Sequence, residues 1–338
     1  MAVWHKRLVL GRLVFGLAVL SLLGHGVTAI AETSLSATYL RQWGGAGNGN
    51  GQFNAAHSVA VLPGLAQVYV ADEANHRIQY FTLSGGYLGQ WGTWGAGAGE
   101  LKSPGAIAVH PAGDRLYVVE RDNHRVQIFS PSGQSLGQWG SQGSGHGQFQ
   151  LPGGVAVAPD GTVLVADRGN HRIQRFTSTG VYVDQFGGLG AGAGTFNEPI
   201  SVAVSSSGDI FIADSQNDLI QVFNSAGVFQ NQWGGSGSIE GLFGGEGPTG
   251  VTVTPAGFVL TADPGNSRMQ VFLTDGALVG AWGGYGAGPG QFYYANASAV
   301  DANGVVYVAD ELNNRVQAFS LNIFLDLPER LYLPLLRR

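Results

Sequence analysis

Residues 166–174 read Ala166-Asp167-Arg168-Gly169-Asn170-His171-Arg172-Ile173-Gln174, and five related stretches share the pattern. Residues 71–79 (ADEANHRIQ) and 119–127 (VERDNHRVQ) precede it; 213–221 (ADSQNDLIQ), 262–270 (ADPGNSRMQ) and 309–317 (ADELNNRVQ) follow. The acids Asp72, Glu120, Asp167, Asp214, Asp263 and Asp310 are 48, 47, 47, 49 and 47 residues apart. An aromatic residue before glycine keeps step at Trp43, Trp91, Trp139, Phe186, Trp233 and Trp282. A large apolar residue follows in the next loop at Phe53, Leu101, Phe149, Phe196, Phe243 and Phe292. A fixed period of this length marks a repeat architecture.

Each period predicts four short strands. In the third copy these are Val155–Val157, Val163–Ala166, Arg172–Thr177 and Val181–Phe186, separated by turns such as Pro159-Asp160-Gly161 and Ser178-Thr179-Gly180. Four strands bounded by Gly, Pro, Asp and Asn describe a propeller blade, and no helical periodicity interrupts the repeats. The phase sets the closure. Thr38–Trp43 is a lone fourth strand, whereas Ala297–Phe319 supplies three strands and no fourth. The ends therefore complete one blade together, which removes sheet edges. The expectation is an all-β protein: a six-bladed propeller of four-stranded antiparallel blades, with the N-terminal strand joining the last blade.

Composition agrees. Glycine accounts for 55 of 338 residues, about twice the usual share, without a Gly-X-Y period. Hydrophobic residues make up 44% and charged residues 12%, which describes a packed chain rather than a disordered one. A formal charge of −6 offers no basic stripe for phosphate contacts, so no nucleic-acid partner is expected. The absence of cysteine excludes disulfides and thiolate sites.

The expected organisation is a signal peptide over 1–31, a propeller over 32–321 and a tail over 322–338. Lys6, Arg7 and Arg12 precede an apolar run, Leu13–Leu23, and Ala29-Ile30-Ala31 fits a cleavage site. Removing that segment leaves 14 Lys and Arg against 23 Asp and Glu, a formal charge of −9. The expected destination is outside the cell or on its surface by the general secretory route, with membrane attachment only if the segment stays uncleaved. The glycine-free tail, ending Leu335-Leu336-Arg337-Arg338, is read as a strap or a sorting element.

The Asp-x-x-Asn-His-Arg-Ile-Gln-x-Phe pattern, with Phe-x-x-Pro before the first strand and Phe/Trp-Gly after the fourth, resembles the NHL repeat over about residues 38 to 320. The resemblance implies a six-bladed β-propeller. It also implies that some relatives are enzymes, including an amidating lyase that works with metals at the channel.

Residues present in every blade are read as structural: Asp72, Asn75 and Arg77; Glu120, Asn123 and Arg125; Asp167, Asn170 and Arg172; Asp214 and Asn217; Asp263, Asn266 and Arg268; Asp310, Asn313 and Arg315. The acid is expected to accept backbone N–H groups in its turn, Asn to take the left-handed conformation, and Arg to brace neighbouring blades. Copy four has Asp218-Leu219 in place of His-Arg, which puts its brace in doubt and points to a more available Asp214. Because strands alternate in direction, the glycine-rich loops and the Asn-His-Arg turns share one face. That face and the channel mouth are the expected binding site. Trp94, Tyr285, Tyr293 and Tyr294 are candidate rim residues, and His57 lies beside an innermost strand. Those strands carry mainly Val, Ala, Ser, Thr, Gly and Ile, and no nucleophile–base–acid set is recognisable. The expected function is an extracytoplasmic, monomeric binding or scaffolding module for a protein, peptide or glycan, with no cofactor. The alternative is a metal-dependent lyase or hydrolase holding channel calcium or zinc.

Overall fold

The computed structural model describes residues 32–326, so the expected signal segment and most of the expected tail lie outside the described residues. Six four-stranded antiparallel sheets form a six-bladed propeller. Blades 1 to 5 are continuous in sequence and begin at Ala56, Pro104, Val155, Pro199 and Val251. Blade 6 combines Ala295–Val300, Val305–Asp310 and Arg315–Asp326 with the N-terminal strand Glu32–Gly44. Closure follows the expected register, with Tyr39 opposite Phe319 and Trp43 opposite Val316. Pairing extends further, from Ser36 opposite Asn322 to Glu32 opposite Asp326. The first five residues of the expected tail are thus a ladder continuing beyond the blade. Leu35, Tyr39, Leu321 and Ile323 of this ribbon pack against the core between blades 5 and 6. Among the described residues no helix is long and apolar enough to cross a membrane.

Second strands are buried on both faces, while outer strands alternate partly buried and exposed positions. That pattern is expected when sheets stack face to face like spokes. Phe53, Phe149, Phe196, Phe243, Phe292 and Leu101 are fully buried between blades. Four of the five outer-strand tryptophans, Trp43, Trp91, Trp139 and Trp233, pack under a glycine of the next blade. Gly85 (φ +89°) illustrates the fit, because a Cβ there would lie 2.8 Å from Trp43. Trp43, Trp91, Trp139, Trp233 and Trp282 leave their indole N–H groups unbonded, so these rings contribute volume rather than hydrogen bonds.

A second inter-blade device involves the residue three before each acid. Tyr69, Tyr117 and Tyr307 are fully buried; the Tyr117 hydroxyl donates to the Ser178 carbonyl of the next blade at 2.9 Å, whereas those of Tyr69 and Tyr307 lie nearer to Gln67 Oε1 (2.6 Å) and Asp301 Oδ2 (3.1 Å) than to the next-blade carbonyls of Pro131 (3.1 Å) and Leu83 (3.4 Å). The equivalent residues in blades 3, 4 and 5 are Leu164, Phe211 and Leu260.

Candidate functional site

The turn after the second strand is a single 3-10 turn in five blades and a plain hydrogen-bonded turn at residues 121–124 in blade 2, and its polar residues clasp the incoming glycine-rich loop. In blade 1, Arg77 donates Nε to Asp72 at 2.6 Å and its terminal nitrogens to the carbonyls of Asn48, Gly49 and Gln52 at 2.8–2.9 Å. Arg77 also reaches Gln90 on the outer strand at 2.7 Å. Asn75 ties Asp72 to the carbonyl of Gly47. Gln79 donates to the Gln52 carbonyl at 2.6 Å and to Asp72 at 3.0 Å, and accepts from Gly51 N–H at 2.8 Å. Arg125, Arg172, Arg268 and Arg315 repeat the acid bond at 2.5–2.8 Å, and Asn123, Asn170, Asn217, Asn266 and Asn313 repeat the Asn contact. These contacts put the loops and turns on one face.

Three details differ from the sequence reading. The acid accepts its backbone N–H from the incoming loop (Asn54 N to Asp72, 2.8 Å) rather than from its own turn, because that loop crosses directly over the carboxylate. The left-handed residue is the one after Asn: His76 (φ 55°), His124 (φ 50°), His171 (φ 55°), Asp218, Ser267 and Asn314. Asn is held in the 3-10 turn because its side chain is committed to the acid. The histidines then accept backbone N–H groups of the next blade, Ser103, Leu151 and Glu198. Asp214 is not made available by the loss of its arginine. It is fully buried, holding Asn197 N–H at 2.7 Å, Asn217 at 2.7 Å and Gln221 at 2.8 Å, and burial lifts its pKa above the ordinary carboxylate value. The repeated Gln is a member of the network that sequence reasoning left without a role; its presence in all six copies was the signal.

The residue after each acid begins the turn beside the innermost strands, and it changes from blade to blade: Glu73, Arg121, Arg168, Ser215, Pro264, Glu311. Together with incoming-loop residues these form a polar ring at the channel mouth. Arg121 of blade 2 pairs with Glu73 of blade 1, and Arg168 pairs with Glu198 at 2.6 Å. His57 lies 3.7 Å from Glu73 and shares a 2.7 Å contact with the carbonyl of Gly105 in blade 2. Burial, with Arg121 adding to it, lowers the His57 pKa to about 4, so its ring is neutral at neutral pH. Tyr294 donates to Glu246 at 2.7 Å, and its own pKa is raised, chiefly by burial. Burial lifts Glu311 to about 7, with Glu246 adding to the rise and Arg121 opposing it. These couplings link blades 1, 2, 5 and 6 across the mouth. Sequence reasoning missed Glu73, Arg121, Arg168, Glu246 and Glu311.

The aromatic candidates divide. Tyr285 (72% exposed) and Tyr293 (40%) pair edge-on at 4.8 Å in the loop entering blade 6. Trp94 (67% exposed) stands in the loop entering blade 2, so blade 1 separates it from them. Tyr294 belongs to the ring rather than to the exposed rim. Among the described residues no three His, Cys, Asp or Glu side chains are grouped as a metal would need.

The geometry defines a closed six-bladed β-propeller with one clasp per blade and a mixed-charge mouth. A family model, the NHL repeat, matches residues 101–129, 149–176, 196–223 and 246–272. The chain is an NHL-repeat propeller. It is similar to mouse peptidyl-glycine alpha-amidating monooxygenase, 40% identical over 62 residues, which is 17% of this chain and only 6% of that protein's length. Solved structures show the same fold at low identity. A Bacteroides thetaiotaomicron protein of unknown function aligns with TM-score 0.65 and 18% identity over 86% of this chain and 77% of that one. A Xanthomonas campestris gluconolactonase gives 0.59 and 14% over 80% and 87%. Virginiamycin B lyase of Staphylococcus aureus gives 0.55 and 11% over 86% and 99%.

Proposed function

We propose that this protein is an exported binding module whose glycine-loop face takes a protein, peptide or glycan, with the channel mouth at the centre of contact. One observation carries the reading. Four positions of the repeat, the acid, Asn, Arg and Gln, are nearly constant because they clasp a loop, whereas the position facing the mouth differs between blades. Constant residues hold the ring, and variable ones are free to recognise. Glu73, Arg121, Arg168, Glu198, Glu246 and Glu311 offer both charge signs in a partly desolvated setting, which suits a chain of mixed charge such as a peptide. The test pans immobilised protein against a random peptide library and a glycan array, then repeats the leading binder with Arg168→Ala and with Leu136→Ser on an exposed outer strand. The expected result is a loss of about tenfold for the first variant and none for the second. Enrichment of nothing, or binders indifferent to Arg168, would defeat the proposal.

A second reading is acid–base chemistry at the same mouth. Glu311 and His57, pushed in opposite directions, motivate it, since such pairs gather at reactive centres. Glu311→Gln separates the two: binding retained with turnover lost favours chemistry, whereas no turnover of any bound compound by the unaltered protein removes this reading.

A further inference from the structure

Each glycine-rich loop runs out over its face and returns to a buried apolar anchor, where one isolated bridge joins its two limbs. In the loop entering blade 6 that bridge pairs Tyr285 with Phe292, and Tyr293 follows the anchor. The first position is Ala46, Trp94, Gln142, Leu189 or Ser236 in the other loops, and none of them has tyrosine at the second. Blade 6 alone brings two phenols to the same loop. Their rings meet with centroids 4.8 Å apart and planes at 60°. Both limbs are tied down: Gly286 N–H donates to the Phe292 carbonyl at 3.2 Å, and Tyr293 N–H donates to Asp310 at 3.1 Å. Hydrogen bonding to Tyr293 raises the Tyr285 pKa, which puts the two phenol oxygens side by side. Among the described tyrosines these are the two exposed ones. The other tyrosine ring contact among the described residues, Tyr69 with Tyr80 at 5.7 Å, has Tyr69 fully buried and its hydroxyl bonded to Gln67.

We propose that Tyr285 and Tyr293 form a modification site, at which a one-electron oxidant joins the two rings by a carbon–carbon bond. Each phenol gives the hydrogen atom of its O–H to the oxidant. The two phenoxyl radicals couple through ring carbons adjacent to the oxygen-bearing carbon. Each coupled carbon then releases its hydrogen as a proton and each oxygen takes one up, so both rings regain aromaticity and both hydroxyls are restored. Two ring C–H bonds are lost and one C–C bond is gained. With a peroxidase and hydrogen peroxide as the oxidant, the two hydrogens leave as water, one peroxide giving two waters. The product staples the two limbs of the loop that leads into the closing blade, in a chain that has no cysteine for such a cross-link. The assignment goes beyond the channel mouth and does not depend on what binds there.

The experiment treats the purified full chain with a haem peroxidase and hydrogen peroxide, then separates monomer from dimer by size exclusion. Two rings on one loop meet at an effective concentration of at least millimolar order, so at ~1 μM protein coupling within the chain is expected to exceed coupling between copies by about a thousandfold. The readouts are biphenol fluorescence in the monomer fraction and the loss of two hydrogens from the tryptic peptide that contains both residues. Tyr285→Phe and Tyr293→Phe are each expected to abolish both signals. Tyr80→Phe, which removes the other tyrosine ring contact, is expected to leave them unchanged. A monomer fraction without the cross-link overturns the assignment. So does a signal that survives either loop variant, or one that disappears with Tyr80→Phe.

Discussion

Of the six clasp acids, Asp214 in blade 4 is the one without an arginine partner, and Leu219→Arg supplies it. The acceptors already stand in register: Asp214, the carbonyls of Ala191, Gly192 and Thr195, and Gln232 on the outer strand take the places that Asp310, Ala287, Gly288, Gln291 and Gln42 take around Arg315. Removing one partner from a buried ion pair costs about 3–5 kcal/mol, and restoring a partner recovers energy of that order. Against it stand about 1 kcal/mol for the half-buried leucine and about 1–2 kcal/mol for ordering the new side chain. A net gain of about 0–3 kcal/mol at pH 7 remains. The pH dependence is diagnostic. Burial raises the Asp214 pKa in the folded state, so its contribution is present at low pH and is lost as pH rises through the carboxylate range. The arginine reverses that sign by favouring the charged form. Urea unfolding of both proteins at pH 7 and near pH 4 is therefore expected to show an advantage that shrinks or vanishes in acid. A variant less stable at pH 7, or one with the same advantage at both pH values, would refute the account of the clasp.

Two further outcomes follow from the same geometry. Glu311 rises from 4.5 to about 7 on folding, so stability is lost as pH climbs between those values, by an amount of the order of 3 kcal/mol; Glu311→Gln should match the unaltered protein near pH 4 and exceed it above pH 7, and denaturation curves parallel across that range would contradict the burial assigned to Glu311. Gln127 holds Gly99 N–H at 3.0 Å, the Glu100 carbonyl at 2.6 Å and Glu120 at 2.7 Å in a fully buried site, so Gln127→Leu should cost about 2–4 kcal/mol in urea unfolding through the partners it strands, and a loss below about 1 kcal/mol would show that water replaces the amide.

The ring closure was legible because repeat phase is a counting property: a lone fourth strand before Trp43 and a missing one after Phe319 have one joint solution. The clasp residues were legible as structural for a related reason, since a side chain needed in all six blades serves something all six share. Their detailed geometry was not. Asn and His both tolerate positive φ, and only the commitment of Asn75 to Asp72 and the Gly47 carbonyl leaves the left-handed place to His76. The channel-mouth ring was not legible because its residues belong neither to the constant positions of the turn nor to the innermost strands. Glu73, Arg121, Arg168 and Glu311 lie between these sets, and their mark was inconstancy inside a constant turn. Nor does sequence give angular position: Trp94 and Tyr285 occupy the same place in their loops, yet stand on opposite sides of blade 1.

Departures from internal consensus carry more information in a closed ring than in an open sheet. Every junction here faces the same packing problem, so the other junctions act as controls for any one of them. Leu260 departs from tyrosine and the terminal ribbon covers the loss, which ties closure of the ring to filling of the junction between blades 5 and 6. Leu219 departs from arginine and nothing covers the loss, so Asp214 stays buried with hydrogen bonds but no counter-charge. Leu164 and Phe186 depart together at one junction, and Arg175 covers the loss, laying its guanidinium over the Phe186 ring at 5.8 Å and donating to the Ser225 carbonyl at 2.5 Å. The other blades carry Tyr80, Ile128, Val222, Val271 and Ala318 at the position of Arg175, so the arginine is the third departure at this junction and the one that compensates the other two.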